Sequence, residues 1–287
     1  MGGAGQMAPV TDAPAGQHAD SWTDVKGTDR VAQAAEKLDR LSKSPSEVQA
    51  RERYLELLAP RPSEIIVDVG AGSGVIAAEI ARRVAPGGRV FAIDPSTGLL
   101  EAARATTREA GIGHLVDCRV ADGRDLPFGI SAFDAAFCHW VLLHVDGPEK
   151  MIAEMKRVTR RGGRVLAVEA DWETAMVHPG ERDVTRRILD HAADRHVDPW
   201  IGRRLPGLFT AQGFSDIVVE PIVAMDRGGG DRAWLDFLFE RAALAVAAGV
   251  VKREEAVLWM AKLDEGFHGN DFFFAVTQFA VLGKVPN

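Results

Sequence analysis

Apolar positions recur along this chain with two different periods, and the switch between them marks out its parts. From Arg30 to Leu58 the spacing is helical. Val31, Ala34, Leu38 and Leu41 share one stripe, and Val48, Tyr54, Leu55 and Leu58 a second, which predicts two helices. Short apolar runs then alternate with helical stretches. Strands are expected at residues 65–69, 89–93, 115–120, 133–137 and 164–168. The first helix between them carries Val75, Ile76, Ile80 and Val84 and is stopped by Pro86-Gly87-Gly88. A second covers residues 99–110. A third, opened by Pro148, carries Met151, Ile152, Met155 and Val158 and is expected to end at Gly162-Gly163. Five strands alternating with helices predict an α/β fold with a parallel, doubly wound sheet and right-handed connections.

Other stretches break this rhythm. Residues 1–28 are rich in Gly, Ala, Pro, Asp and Gln and are expected to form a mobile arm, because they offer little apolar surface to bury. Residues 171–208 are polar and Arg-rich and too long for an ordinary connection, which predicts a substrate lid. Beyond Gly213 a strand at 214–224, helices at 231–248 and 253–266, and a final strand at 271–285 raise the strand count to seven. The expected organisation is one domain over 29–287 behind the arm. It comprises N-terminal helices (29–60), an α/β core (61–170), the lid (171–208) and C-terminal strands and helices (209–287).

Composition narrows the function. The 287 residues are 46% hydrophobic and 26% charged, enough for one large α/β domain. The formal net charge of -7 lacks the basic surplus that nucleic-acid backbones demand, so no nucleic-acid partner is expected. Cys118 falls inside an expected strand and Cys138 at the end of another, neither in a paired or ligand spacing, so both read as core thiols of a reducing compartment. The eight histidines show no HExxH-like spacing, and no metal site is expected. No apolar run reaches the length of a membrane span and no signal-peptide pattern opens the chain, which predicts a cytoplasmic protein without membrane contact.

The candidate chemistry begins at Val67-Asp68-Val69-Gly70-Ala71-Gly72-Ser73-Gly74, between the first strand and its helix. Glycines there let backbone approach a ligand, with helix N-terminal N–H groups facing it. The loop is not the dinucleotide fingerprint G-x-G-x-x-G, because Val75 stands where the last glycine would fall, and no Gly-Lys-Ser/Thr of a Walker loop follows. Asp94 ends the second strand, where an acid can accept from both ribose hydroxyls of an adenosine cofactor. Asp122-Gly123 ends the third, where a carboxylate can accept from an adenine amino group.

Three ordered strand ends of this kind resemble the class I S-adenosylmethionine methyltransferases, particularly the ubiquinone/menaquinone-type and natural-product small-molecule group. The resemblance rests on VDVGAGSG, VFAIDPS, VADGRDLPF, FDAAFCHWVLLHV and EMKRVTRRGGRVLAVEADW, spanning about Ser63 to Trp172. It implies a Rossmann-like seven-stranded sheet with the last strand antiparallel, and S-adenosyl-L-methionine as cofactor. It also implies that Gly70, Ala71 and Gly72 line the methionine part, that Asp94 beside Pro95 holds the ribose, and that Asp122 with Gly123 meets the adenine. Backbone at Cys138 would lie near the cofactor's amino acid end.

Catalytic candidates follow the later strands. His139 and His144 come just after the fourth, where an imidazole could take a proton near neutral pH, with a purely structural histidine as the alternative for each. Glu169 ends the fifth strand and either faces the substrate or caps the next turn. Trp172 and two of the lid arginines, Arg203 and Arg204, are substrate-binding candidates, the arginines for an anionic group, with a solvated helical face as the alternative. The expected function is methyl transfer to an O, N or C atom of a small molecule in secondary or cofactor metabolism, by a monomer or homodimer. The alternatives are a cyclase or decarboxylase on the same fold, a nicotinamide-dependent oxidoreductase, against which the Val75 departure counts, and a noncatalytic binding subunit.

Overall fold

The computed structural model describes residues 28–287. The arm expected over 1–28 lies outside them but for its last residue. Helices α1 (Thr28–Lys43) and α2 (Pro45–Leu58) come first. Pro45 takes the first turn of α2, where its missing N–H costs nothing, and Ala59 ends the helix in the left-handed region.

The sheet then alternates as expected through β1 (Ile65–Val69), α3 (Val75–Val84), β2 (Arg89–Asp94), α4 (Thr97–Glu109), β3 (Val116–Val120), β4 (Phe133–His139) and α5 (Pro148–Val158). It is completed by β5 (Thr159–His178), α6 (Arg182–Ala193), α7 (Ile201–Ala211), β6 (Ser215–Asp226), α8 (Ala233–Ala247), α9 (Arg253–Gly269) and β7 (Phe273–Lys284). Strand order is β3-β2-β1-β4-β5-β7-β6. The strands from β1 to β5 pair in parallel, and β7 runs antiparallel to both neighbours. This is the seven-stranded, mostly parallel fold that the sequence predicts.

Alternation along each strand builds a core on either face. Ile66 packs with Tyr54 and Leu58 of α2 and Ile80 and Val84 of α3. Its neighbours Val67 and Val69 join the opposite layer, with Met151 and Met155 of α5 and Leu205 and Phe209 of α7. Cys118 is only half-buried, because β3 is an edge strand, whereas Cys138 in central β4 is wholly buried.

Two expectations change. The pair Gly162-Gly163 does not end α5. The helix stops at Val158, and the β-branched Thr159 already pairs with Phe133 of β4 while its hydroxyl donates to the Met155 carbonyl at 2.7 Å. Nor do residues 171–208 form an irregular lid. β5 continues to His178 because β7 offers it a second run of partners beyond a register shift between Asp171 and Met176. The remainder folds into α6 and α7, each with a buried apolar face.

Candidate active site

The carboxyl ends of β1, β2 and β4 frame a cavity of about 370 Å³. It lies where strand order reverses: β2 and β3 extend from β1 on one side, β4, β5 and β7 on the other. Loops leaving the sheet in opposite directions open a crevice there.

On the β1–β2–β3 side the wall is largely backbone. Gly70, Gly72 and Gly74 have φ of 79°, 54° and 78°, a region that side chains rarely tolerate. A Cβ on Gly74 would come within 2.7 Å of the Ala103 Cβ in α4, so that glycine serves helix packing. A Cβ on Gly70 would lie 2.2 Å from Val141 Cγ2, and one on Gly72 would meet nothing nearer than Leu38 Cδ1 at 3.4 Å, across the cavity. The Gly70 and Ala71 N–H groups donate to the Ile93 carbonyl at 2.7 and 2.9 Å.

Asp94 accepts from the Gly72 N–H at 3.0 Å through Oδ2 and from the Ser96 N–H at 2.8 Å through Oδ1. It therefore fixes the loop as well as facing the cavity, and each oxygen keeps lone-pair capacity for a ligand hydroxyl. Burial raises its pKa against those two hydrogen bonds. Behind it Asp68 is buried with Oδ2 unpartnered, and burial, with repulsion from Asp94, pushes its pKa up to about 7. Pro95, Asp122 and Gly123 line the same end. Arg124 hydrogen-bonds Asp122 at 2.7 Å and holds its carboxyl below the usual range. Bare backbone at Gly72, an acid with spare acceptor capacity and a second acid farther along suit the vicinal hydroxyls and base of an adenosine.

The β4–β5–β7 side is built from side chains. After His139 the chain turns through Trp140 at φ 54°, whose N–H donates to the Val168 carbonyl at 2.9 Å. Glu169 Oε1 accepts from the Val141 and Leu142 N–H groups at 2.9 and 2.7 Å. It is wholly buried, and desolvation outweighs those bonds to push its pKa up to about 8. Glu169 thus holds the turn from beneath and does not line the cavity, which corrects its expected catalytic role.

His139 and His144 both line the cavity. His144 closes a short 3₁₀ turn, its ring 5.2 Å from that of His196. His139 stacks on Trp140 with ring centroids 5.3 Å apart, and burial drives its pKa down to about 3. Beside it lies Glu47 of α2, 4% exposed, whose Oε1 accepts from Nε2 of Gln278 in β7 at 2.7 Å. Glu47 Oε2 is 3.9 Å from His139 Nε2, beyond hydrogen bonding, and that nitrogen has no partner. Burial pushes Glu47 up to about 7. Both shifts oppose charge, so near neutral pH a neutral imidazole stands beside a carboxyl divided between its acid and carboxylate forms, and not in an ion pair.

Glu47 escapes the sequence reading. The signal was present: Glu47, Arg51 and Tyr54 stand at i, i+4 and i+7 on α2, sharing the face that carries Leu58. Leu38 and Leu41 of α1 close the cavity above. The cover is therefore made by the N-terminal helices, with α1 tied to α8 by Lys37–Glu240 and Arg40–Asp236 ion pairs.

The remaining candidates lie elsewhere. Trp172 is core, stacked on His196 and Phe237. Arg203 is engaged by the buried Asp171, and Arg204 by Asp198. These three, placed in a substrate lid by the sequence, do not line the cavity, because the segment folds onto the sheet. Wholly buried Cys138 does not line it either. Among the described residues no helix is long and apolar enough to cross a membrane, and no cluster of three His, Cys, Asp or Glu could hold a metal.

The methyltransferase domain family model matches residues 67–167, from within β1 to within β5. An uncharacterized 37.1 kDa protein of a Streptomyces fradiae transposon is 31% identical over 248 residues, 86% of this chain and 70% of that protein. Demethylmenaquinone methyltransferase of Symbiobacterium thermophilum is 31% identical over 139 residues, 47% of this chain and 55% of the enzyme, so the match spans about half the enzyme's length. Among solved structures, phosphoethanolamine N-methyltransferase 2 of Haemonchus contortus in complex with S-adenosyl-L-methionine superposes with a TM-score of 0.58. It is 18% identical and covers 91% of this chain and 58% of that one, a likeness of fold. With its fold, its glycine loop and these relatives together, the chain belongs to the class I S-adenosylmethionine-dependent methyltransferases.

Proposed function

We propose that the protein transfers the methyl group of S-adenosylmethionine to an O, N or C atom of a small, largely apolar acceptor in secondary or cofactor metabolism. The observation that carries this reading is the division of one cavity between two kinds of wall. Loop backbone, Asp94 and Asp122 form one end. Leu41, Tyr54 and Trp140 help to form the other, under a cover of α1 and α2.

The bound cofactor supplies an electrophilic methyl on a sulfonium. The chain's own residues orient, desolvate and handle protons. Gly70 to Gly72 and Asp94 anchor the cofactor, with Asp122 and Gly123 at its adenine end. Trp140 and the α1 leucines exclude water from the far end, which strengthens each polar contact made there. His144, on the turn after β4, lines the cavity and is the histidine offered to accept a proton from the nucleophile, whereas the burial that drives His139 down to about 3 makes its imidazole a poor base.

The arginines offered for an anionic acceptor are turned to ion pairs outside the cavity, and the two that line it are engaged, Arg51 with the Ser42 carbonyl and Arg124 with Asp122, so a mostly uncharged acceptor suits the site better. The test has two stages. S-adenosylhomocysteine is expected to raise the melting temperature where NAD does not, the gain being about 2.7 kcal/mol at 100 times the dissociation constant. Cofactor labelled in its methyl group, offered with a library of phenols, amines and quinols, is then expected to label a product. A product unlabelled from methyl-labelled cofactor would favour the cyclase or decarboxylase reading.

A further inference from the structure

Glu47 stands apart from the cofactor end, on the same helix as Arg51, whose charge acts on it. A carboxyl 4% exposed on the core-facing side of a helix carries a large desolvation cost, which a protein tolerates where the group is used. Its surroundings are built. Gln278, wholly buried in β7, spends its amide on Glu47 Oε1, leaving Oε2 on the side of His139. His139 Nε2 and the Trp140 indole N–H have no hydrogen-bond partner. Glu47, His139 and Trp140 thus meet at one end of the cavity, beside Arg51, whose guanidinium donates to the Ser42 carbonyl at 2.9 Å. Oε2 can accept from a ligand O–H or N–H.

From this juxtaposition we infer that Glu47 is a catalytic residue that binds the acceptor's nucleophilic O–H or N–H and takes its proton during methyl transfer, held for that task by Gln278. The inference rests on the methyl-transfer reading. It narrows the acceptor to an uncharged apolar molecule bearing a hydroxyl or amine, and so to O- or N-methylation. In the step, a lone pair of the acceptor heteroatom forms the new bond to the methyl carbon. The methyl–sulfur bond breaks with its electron pair remaining on sulfur, and the heteroatom's proton passes to Glu47 Oε2. The carboxyl's pKa near 7 matches a group that must both take and release that proton near neutral pH. Gln278 is a positioning residue, fixing which oxygen faces the acceptor.

The test uses the full chain with 2-naphthol as hydroxyl probe and 2-methoxynaphthalene as its ether, each titrated calorimetrically in the presence of S-adenosylhomocysteine. Wild type is expected to bind the naphthol at least about tenfold more tightly than the ether. Glu47→Gln, which keeps the hydrogen bond to Gln278, is expected to lose most of that preference and to slow labelled methyl transfer to 2-naphthol about a hundredfold or more, with affinity for S-adenosylhomocysteine unchanged. Gln278→Leu leaves the carboxyl but frees its orientation. It is expected to reduce the preference partly while the ether binds as before, a change a merely structural role would not produce. Equal binding of naphthol and ether by wild type, binding of neither, or an unaltered preference and rate in Glu47→Gln would each overturn the inference. Failure of wild type to bind S-adenosylhomocysteine would instead strike the methyl-transfer reading itself.

Discussion

The two ends of the cavity solve different problems with different materials. The β1–β2–β3 end is made of loop backbone whose N–H groups are committed to neighbouring carbonyls and to Asp94. It is a rigid mould, in which Asp94 is hydrogen-bonded to the loop and Asp122 is held by an arginine, although burial raises Asp94 and the Asp68 behind it. The β4–β5–β7 end is made of side chains drawn from α1, α2, β4 and β7, and its titratable groups are pushed away from their usual charge states by burial. On the proposed function, the fixed mould suits a cofactor, and the end built from side chains suits an acceptor, since single substitutions can exchange those groups.

The comparison is most sharply broken at Gly70. Gly70→Val places a Cβ where Val141 already stands and forces a β-branched residue to φ 79°, so S-adenosylhomocysteine affinity is expected to fall by more than about a hundredfold. Calorimetric titration checks it, and near-normal affinity would show that the loop is not a mould. Next in size is Glu169→Leu, which leaves the Val141 and Leu142 N–H groups without their acceptor. We expect a loss of about 2–4 kcal/mol in denaturant unfolding, while Glu169→Gln, retaining an acceptor oxygen, loses distinctly less. Equal losses would mean that the turn does not depend on those bonds.

Asp94→Asn keeps an acceptor but loses the charge. It is expected to weaken S-adenosylmethionine by about tenfold or more, about 1.4 kcal/mol, with 2′-deoxy and 3′-deoxy analogues discriminating less between variant and wild type. An unchanged constant would remove Asp94 from the ribose.

Stability against pH sharpens the contrast in charge state. Glu47, Asp68 and Glu169 have folded pKa values of about 7, 7 and 8, raised above their ordinary values by burial, so the native state holds more protons than the unfolded chain from about pH 4 to 8. Their stabilisation is present in full at the acid side of that window and is lost as pH rises through it, by up to about 1.4 kcal/mol per pH unit for each group. His139, depressed to about 3, works in the opposite sense between about pH 3 and 6.5 and offsets one of the three. The melting temperature is therefore expected to fall from pH 5 to pH 8.5, and to fall less steeply in Glu47→Gln. A rising curve would contradict the buried acids. The smallest effect is expected for Arg204→Ala, which lies outside both ends. Removing its half-exposed ion pair with Asp198 is expected to cost no more than about 1 kcal/mol, with cofactor affinity unmoved.

How far each end can be read from the chain follows from how it is made. The β1–β2–β3 end is local: a glycine loop and two acids sit at strand ends, and strand ends are marked by the return of polar residues after an apolar run. Gly70, Gly72, Asp94 and Asp122 could be named from the residues and their order, Ala71, Pro95 and Gly123 through the resemblance those motifs carry, and all seven line the cavity. Glu169 and Trp172 misled because a strand-end position does not say whether a side chain faces the crevice or the opposite layer. Arg203 and Arg204 misled because a run of arginines does not disclose its partners.

The amino-acid sequence by itself determined the strand and helix alternation, the doubly wound sheet and the glycine loop, since these depend on periodicity and on backbone conformations that only certain residues adopt. Tertiary structure alone decided what covers the cavity and what stands at its far end. The extension of β5 through pairing with β7, the folding of the expected lid onto the sheet, and the meeting of Glu47, His139 and Gln278 bring together residues as many as 231 positions apart. Such contacts arise from strand order and layer packing, and the residues that make them carry no local pattern announcing one another.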